Sequence, residues 1–126
     1  MKPKILLVDD MEDILAVVRR ILPGCEVFEA RTGAGALALA ASFRPDLVVL
    51  DVHLPDMNGV DIMEKLAAMS PAPVVVMLTG DETIETAGRA MAAGAFAYIT
   101  KPFEAEDLLT LIRGGLEHAE KLKRRR

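Results

Sequence analysis

The feature that most constrains the fold is a short apolar run, Leu47 to Leu50, which stops at the carboxylate of Asp51. The run is apolar at both alternating positions and contains two β-branched residues, which is typical of a strand buried on both faces of a parallel sheet. It cannot continue far, because Pro55 lacks an N–H group and Asn58-Gly59 favours a turn. Asp51 is therefore predicted at the carboxyl end of a central strand, where open α/β sheets form their sites.

Four further apolar runs alternate with stretches of helical periodicity along the chain. The other predicted strands are Lys4 to Val8, Cys25 to Ala30, Val74 to Leu78 and Ala95 to Thr100. The predicted helices start at Glu12, run from about Ala34 to Phe43 with Thr32 as the N-cap, follow Gly59, run from Glu82 to Ala93, and run from about Glu104 towards Lys121. Because strands and helices alternate in short units, we predict a doubly wound five-stranded parallel sheet with helices on both faces, a flavodoxin-like (βα)5 domain.

Composition and charge indicate one small domain that does not bind nucleic acid. The 126 residues, 52% of them hydrophobic, can bury one core and are too few for two. We predict a domain over residues 1–120, which holds all 19 acidic and ten basic residues, a net charge of −9 that repels nucleic acid. Residues 121–126 add five positive charges, and we interpret this basic tail as a solvated helix end or the start of a linker.

The chain is predicted to be cytoplasmic. No apolar run approaches the ~20 residues that a membrane-spanning helix needs, and the first residues do not resemble a signal peptide. The single cysteine, Cys25, excludes an internal disulfide and favours a reducing compartment. We therefore expect no membrane partner.

The residues that end the apolar runs predict the chemistry of the site. Asp9 and Asp10 follow the first run, Asp51 the third, Thr79 the fourth and Lys101 the fifth. Because the carboxyl ends of parallel strands share one edge, these groups should converge. Three neighbouring carboxylates repel one another unless they take up protons or bind a cation. An all-oxygen donor set favours Mg²⁺, which commonly binds one or two carboxylates together with a substrate phosphate, so the predicted substrate is phosphorylated.

These residues match a known pattern over essentially the whole chain. The acidic pair Asp9-Asp10, Asp51 with the downstream stretch Leu54 to Gly59, Thr79, and Lys101-Pro102 stand in the order and spacing of that pattern. The chain resembles the receiver domain of bacterial two-component response regulators and is similar to the chemotaxis response regulator.

The resemblance implies a phospho-acceptor. Asp51 would take a phosphoryl group from a phosphohistidine of a sensor histidine kinase or a phosphotransfer protein, or from a small acyl phosphate. Lys101, aimed by a cis bond before Pro102, would neutralise the phosphoryl oxygens. Hydrolysis by water would reset the domain, so the chain catalyses its own phosphorylation and dephosphorylation but acts mainly as a signalling switch. The Mg²⁺ ligands that the resemblance implies are Asp9, Asp10, Asp51 and the backbone carbonyl of His53.

A change of surface is the second implication of the resemblance. The Thr79 hydroxyl would bind a phosphoryl oxygen, and Tyr98 would turn into the space left behind. The face formed by the fourth helix, the fifth strand and the last helix would then serve an output domain, an effector protein or a homodimer.

The same residues leave one alternative function open and disfavour two others. A pseudo-receiver that docks without turning over phosphate stays open as the second interpretation. A flavodoxin-like flavin protein is disfavoured because the acidic first loop, Asp9 to Asp13, would repel a phosphate. A haloacid-dehalogenase-type phosphatase is disfavoured because His53, and no acid, stands two residues after Asp51. His53 and Asp81 should tune the lifetime of the phosphoryl group, with the sign left open.

Overall fold

A computed structural model of the chain describes residues 2–22, 24–80 and 84–125. Strands and helices alternate throughout this part of the chain. The strands are β1 (Lys4–Val8), β2 (Glu26–Ala30), β3 (Leu47–Asp51), β4 (Val74–Thr79) and β5 (Ala97–Thr100). The helices are α1 (Glu12–Arg20), α2 (Gly33–Phe43), α3 (Gly59–Ala67), α4 (Ile84–Ala92) and α5 (Ala105–Arg124).

The strands form one parallel sheet in the order β2-β1-β3-β4-β5, with β3 at its centre. Every residue of β3 and β4 is buried, as the unbroken apolar runs predict for strands covered on both faces. One buried cluster packs α2, α3 and α4 on one face of the sheet, and a second packs α1 and α5 on the other. The predicted doubly wound α/β fold is confirmed.

Element boundaries shift by a few residues from the sequence prediction. β2 begins at Glu26 and β5 at Ala97, one and two residues later than expected. The expected start of the fourth helix, at Glu82, lies outside the described residues. Thr32 is the N-cap of α2, as predicted, and its hydroxyl oxygen accepts a hydrogen bond from Gly35 N at 3.0 Å. These differences leave the predicted topology unchanged.

The last helix is longer than the sequence prediction. α5 continues past Lys121 to Arg124, with basic residues in its last turn, where they interact favourably with the helix dipole. Lys123 Nζ also pairs with Asp46 Oδ1 at 2.5 Å, which joins the end of α5 to the segment before β3. The division at residue 120 stays a prediction. No helix in the described chain combines the length and the apolar character needed to cross a bilayer.

The packing of α5 on the sheet depends on a glycine. A Cβ atom at Gly115 would lie 2.5 Å from Leu47 Cδ1 and 3.3 Å from Val74 Cγ1, and both of those side chains are buried. A Cβ at the neighbouring Gly114 would lie 3.6 Å from Phe96 Cζ, an ordinary van der Waals contact. Gly115 therefore allows the helix to approach the first residues of β3 and β4 closely, whereas Gly114 has room for a side chain.

We predict opposite effects of alanine at the two glycines. Gly115→Ala should lower the free energy of unfolding by about 1–3 kcal/mol, because the added methyl group overpacks a filled core. Gly114→Ala should raise it by up to about 1 kcal/mol, through the higher helix propensity of alanine. Urea unfolding of both variants measures the two effects, and equal destabilisation would contradict the packing argument.

Candidate functional site

The carboxyl edge of the sheet brings the predicted site residues together. Asp51 and Thr79 are the last residues of β3 and β4, and Asp9 and Lys101 directly follow β1 and β5. Backbone hydrogen bonds continue past the strand ends, from Lys101 N to Thr79 O at 2.7 Å and from Asp9 N to Ala30 O at 3.1 Å. The edge is therefore ordered beyond the regular strands, as expected for parallel strands that end together.

Three carboxylates form a cluster at this edge. One oxygen each of Asp9, Asp10 and Asp51 lies within 4.8 Å of the others. The side chains of Asp9 and Asp51 are only 2% and 8% exposed, whereas Asp10 is exposed. A cluster of oxygen donors with one open side fits a hard divalent cation such as Mg²⁺, which prefers carboxylates and keeps several waters. The donor set therefore matches the metal that the sequence predicts.

One lysine reaches into the carboxylate cluster. Lys101 Nζ lies 2.9 Å from Asp9 Oδ2 and 3.4 Å from Asp51 Oδ2, so the ammonium group bridges the two buried acids. The Lys101–Pro102 peptide bond is cis, as the resemblance implied. The ammonium group partly neutralises the repulsion that would otherwise separate the two carboxylates.

A short loop after β3 holds the Asp51 side chain. His53 N donates a hydrogen bond to Asp51 Oδ1 at 3.3 Å, and His53 pairs with Asn58 in an isolated antiparallel bridge. Gly59 N donates to Val52 O at 2.7 Å, and a Cβ at Gly59 would lie 2.7 Å from Val52 Cα. Only glycine permits this approach of two backbone segments, which explains the Asn-Gly turn in the sequence.

The environment of Asp51 changes its acidity. Burial raises the pKa of the Asp51 carboxyl above its ordinary value, and the neighbouring Asp9 carboxylate raises it further. Lys101 and the N–H group of His53 act in the opposite direction but do not overcome these two causes. Cations that enter the cluster would stabilise the ionised form of Asp51, because positive charge nearby favours a carboxylate.

Thr79 ends β4 and Tyr98 lies in the neighbouring strand β5, and the two side chains differ in exposure. Thr79 is fully buried, and no described residue offers a hydrogen-bond partner to its Oγ1 atom. Tyr98, in β5, is 47% exposed and therefore points outward in this structure. Asp81, predicted to affect phosphate lifetime, lies outside the described residues. Thr79 lies at the carboxyl end of β4, the strand that pairs with the Asp51 strand β3.

Asp56 belongs to the sequence pattern after Asp51, but the pattern alone predicts no role for it. In the structure its carboxylate oxygens accept hydrogen bonds from Gly33 N at 2.7 Å and Ala34 N at 3.0 Å. The sequence carries one indication of this contact, which is that α2 has no acidic residue in its own first turn. Because a helix N-terminus favours negative charge, an acidic residue from elsewhere in the chain can supply it.

The fold and the carboxyl-edge cluster define the class of protein as a doubly wound α/β domain with an acidic crevice at the carboxyl edge of its sheet. The family can be stated as well. Residues 5–113 match the model of the response regulator receiver domain, and the chain belongs to that family.

Known relatives agree with this assignment. The transcriptional regulatory protein KdpE of Mycobacterium tuberculosis is 40% identical over 114 residues, which are 89% of this chain and 50% of that protein. The DNA-binding response regulator MtrA of Mycolicibacterium smegmatis is 35% identical over 122 residues, 95% of this chain and 53% of that protein. A solved CheY-like receiver domain from Methanospirillum hungatei is 36% identical, with a TM-score of 0.90 over 96% of this chain and 98% of that one. The chain thus spans about half the length of the curated relatives that it matches.

The raised pKa of Asp51 predicts how stability depends on pH. Because the folded state keeps the Asp51 proton at pH values where the unfolded chain has lost it, ionisation of Asp51 lowers the free energy of unfolding as pH rises through that window. Asp51→Asn removes the charge, so it should be more stable than the wild type at pH 7 without divalent cations. The difference should vanish near pH 3, below the ordinary carboxyl pKa of about 3.9.

Thermal unfolding of both proteins in EDTA at several pH values measures this dependence. An Asp51→Asn variant less stable than the wild type at pH 7 would show that the Lys101 ion pair outweighs burial and repulsion.

Proposed function

We propose that this receiver domain is a phosphorylation switch whose phospho-acceptor is Asp51. The observation that carries the proposal is the convergence of the Asp9, Asp10 and Asp51 carboxylates with the Lys101 ammonium group at one edge of the sheet. Phosphoryl transfer needs a positioned nucleophile and compensation of the charge on the phosphoryl oxygens more than it needs covalent help. The arrangement supplies both.

The transfer step uses one oxygen of the Asp51 carboxylate as the nucleophile. It attacks the phosphorus of a phosphohistidine or of a small acyl phosphate, and a new P–O bond forms. The P–N bond to the donor histidine, or the P–O bond to the donor acyl group, breaks, and its electron pair leaves with the donor. The hydrogen bond from His53 N keeps Asp51 oriented. An aspartyl phosphate on Asp51 is the product.

Charge around the phosphoryl group would be compensated from two sides. The residues that would hold Mg²⁺ are Asp9, Asp10, Asp51 and the backbone carbonyl of His53. When bound, Mg²⁺ supplies positive charge that neutralises phosphoryl oxygens. Lys101, which bridges Asp9 and Asp51 in the structure, would contact the phosphoryl group from its own side. In that role the ammonium group would turn from the Asp9 carboxylate towards the phosphoryl oxygens.

The change of surface would start at Thr79. Its buried Oγ1, which no described residue binds, would donate a hydrogen bond to a phosphoryl oxygen on Asp51. The outward Tyr98 would then turn into the space vacated beside β4 and β5. The face formed by α4, β5 and α5 would change shape as a result. Water that reaches the phosphorus would hydrolyse the aspartyl phosphate, and His53, exposed beside Asp51, would affect that rate.

The partners follow from the family and from chemistry. The phosphoryl donor would be a sensor histidine kinase or a phosphotransfer protein in the cytoplasm. The related KdpE is a transcriptional regulatory protein and MtrA a DNA-binding response regulator, each about twice the length of the matched region. We therefore propose that the domain passes its signal to an output domain or to an effector protein, or that it forms a homodimer through α4, β5 and α5. The domain itself, with its acidic surface, would bind neither nucleic acid nor membrane.

Intact mass tests the phospho-acceptor role directly. Incubation with acetyl phosphate and Mg²⁺ should add one phosphoryl group, because Asp51 is the nucleophile and the metal compensates charge. EDTA should abolish the adduct, and so should Asp51→Asn, which keeps the size of the side chain but removes its nucleophilic charge. Undiminished labelling of Asp51→Asn would contradict the assignment. A wild type that binds Mg²⁺ but accepts no phosphoryl group from either acetyl phosphate or a kinase would support the pseudo-receiver.

Tyr98 fluorescence tests the switch, since the chain has one tyrosine and no tryptophan. Phosphorylation should change the emission of wild-type Tyr98, because the ring moves from water into the protein. Thr79→Val keeps the shape of the side chain but removes the hydroxyl, so it should still be phosphorylated but show little change in emission. Its free energy of unfolding should stay within about 1 kcal/mol of the wild type, because no hydrogen bond to a described residue is lost. An unchanged emission response in Thr79→Val would refute the coupling.

A further inference from the structure

The amino-terminal end of α2 is bound by a carboxylate from a different part of the chain. α2 carries no acidic residue in its first turn, whereas α1, α3, α4 and α5 each carry at least one. Asp56 accepts hydrogen bonds from Gly33 N and Ala34 N, and Thr32 Oγ1 accepts from the next N–H group, that of Gly35. Three successive N–H groups that the helix cannot bind internally are therefore satisfied, two of them by Asp56.

The contact between Asp56 and α2 is charge-assisted. The N–H groups of Gly33 and Ala34 hold the pKa of the Asp56 carboxyl below its ordinary value. Asp56 is therefore ionised at neutral pH and offers one oxygen to each N–H group. Hydrogen bonds to an ionised acceptor are about twice as strong as neutral ones, and the helix dipole adds to the attraction.

A glycine brings the loop and the helix into direct contact beside this pair of hydrogen bonds. A Cβ atom at Gly33 would lie 2.7 Å from Met57 Sδ and 2.9 Å from Met57 Cβ, closer than non-bonded atoms approach. Gly33 is buried, so no solvent gap separates the loop from the helix. The polar contact at Asp56 and the packing at Met57 thus act on the same short stretch of the loop.

The same loop is closed next to the acceptor. The bridge between His53 and Asn58 and the hydrogen bond from Gly59 N to Val52 O join its two ends, and His53 N binds Asp51 Oδ1. Asp56 lies between these two ends. The two ends of the loop are therefore fixed beside Asp51, and its middle, at Asp56, is bound to α2.

We propose that Asp56 is a positioning residue for the metal and phosphoryl-accepting site. By binding the first two N–H groups of α2, its carboxylate holds the loop from Asp51 to Gly59 in the geometry that the site requires. This inference rests on the proposed function, in which Asp51 and the His53 carbonyl are metal ligands. Residues that orient metal ligands from outside typically change metal affinity 10- to 100-fold when mutated.

Asp56→Asn tests the positioning role, with Asp61→Asn as the matched control. Asp56→Asn keeps the size of the side chain but replaces one acceptor oxygen by an NH₂ donor, which faces an N–H group of α2. Asp61 is an exposed carboxylate in the first turn of α3, so Asp61→Asn makes the same chemical change near the same loop. Calorimetric titration at a temperature where both variants are folded should give a Kd for Mg²⁺ about tenfold higher in Asp56→Asn. Asp61→Asn should bind as the wild type does. Equal Kd values in the two variants would overturn the proposal.

Amide hydrogen exchange provides a second readout, which a purely stabilising contact would not change. Because coupling between two sites is reciprocal, Mg²⁺ should slow the exchange of the Gly33 and Ala34 amides in the wild type. It should not do so in Asp56→Asn. If Mg²⁺ does not change the exchange rate of these two amides in the wild type, the metal site and α2 are not coupled. That result would also overturn the proposal.

Failure of this inference can be told apart from failure of the proposed function. Mg²⁺ affinity is measured on the unphosphorylated protein, so it does not depend on whether an adduct forms. A wild type that binds Mg²⁺ but is never phosphorylated would overturn the phospho-acceptor role. The tenfold difference in the Kd for Mg²⁺ would then still support Asp56 as a positioning residue of the metal site. A wild type without measurable Mg²⁺ binding would overturn both.

Discussion

Electrostatic repulsion at one edge of the sheet is the constraint on which the structure of this protein depends. A parallel sheet places the carboxyl ends of its strands side by side, and here two of the central ends present the buried carboxylates of Asp9 and Asp51. The ammonium group of Lys101 lies between them. The native state therefore holds a local excess of negative charge, which bound protons or further cations would relieve. In the function proposed above, a divalent cation would offset this repulsion and so prepare the site for a phosphoryl group.

Backbone contacts hold this edge in place. Hydrogen bonds between neighbouring chain segments continue beyond the last residues of the strands, as between Lys101 and Thr79. The close approach at Gly59 fixes the turn that follows Asp51. Asp56 then ties the outer side of the same turn to α2. Asp51 is thus supported by the strands of the sheet on one side and by a helix terminus on the other, an arrangement that suits a site where small displacements change the chemistry.

Different contacts hold the amino-terminal edge of the sheet. There α5 approaches β3 and β4 closely at Gly115, and Lys123 in its last turn pairs with Asp46. This packing makes α5 a firm part of the domain along its length. A change that begins near Thr79 and β5 can therefore alter the exposed surface of α5 only by moving it as a body or by repacking side chains such as Tyr98, because close-packed cores do not deform continuously.

The sequence by itself determined the fold class, the order of its elements and the residues that end its strands. Those features are local: an apolar run that stops at Asp51, or a helical stripe that starts at Glu12, is visible within a few residues. The convergence of Asp9, Asp51 and Lys101 also followed, because any parallel sheet shares one edge. Only the tertiary structure decided that Asp56 caps α2, that Gly115 is a packing requirement while Gly114 is not, and that α5 extends to a residue that pairs with Asp46. Each of these depends on contacts between segments far apart in the chain, whose distances are set by the packing of helices on the sheet. The missing acid in the first turn of α2 indicates a partner from elsewhere in the chain but does not identify Asp56.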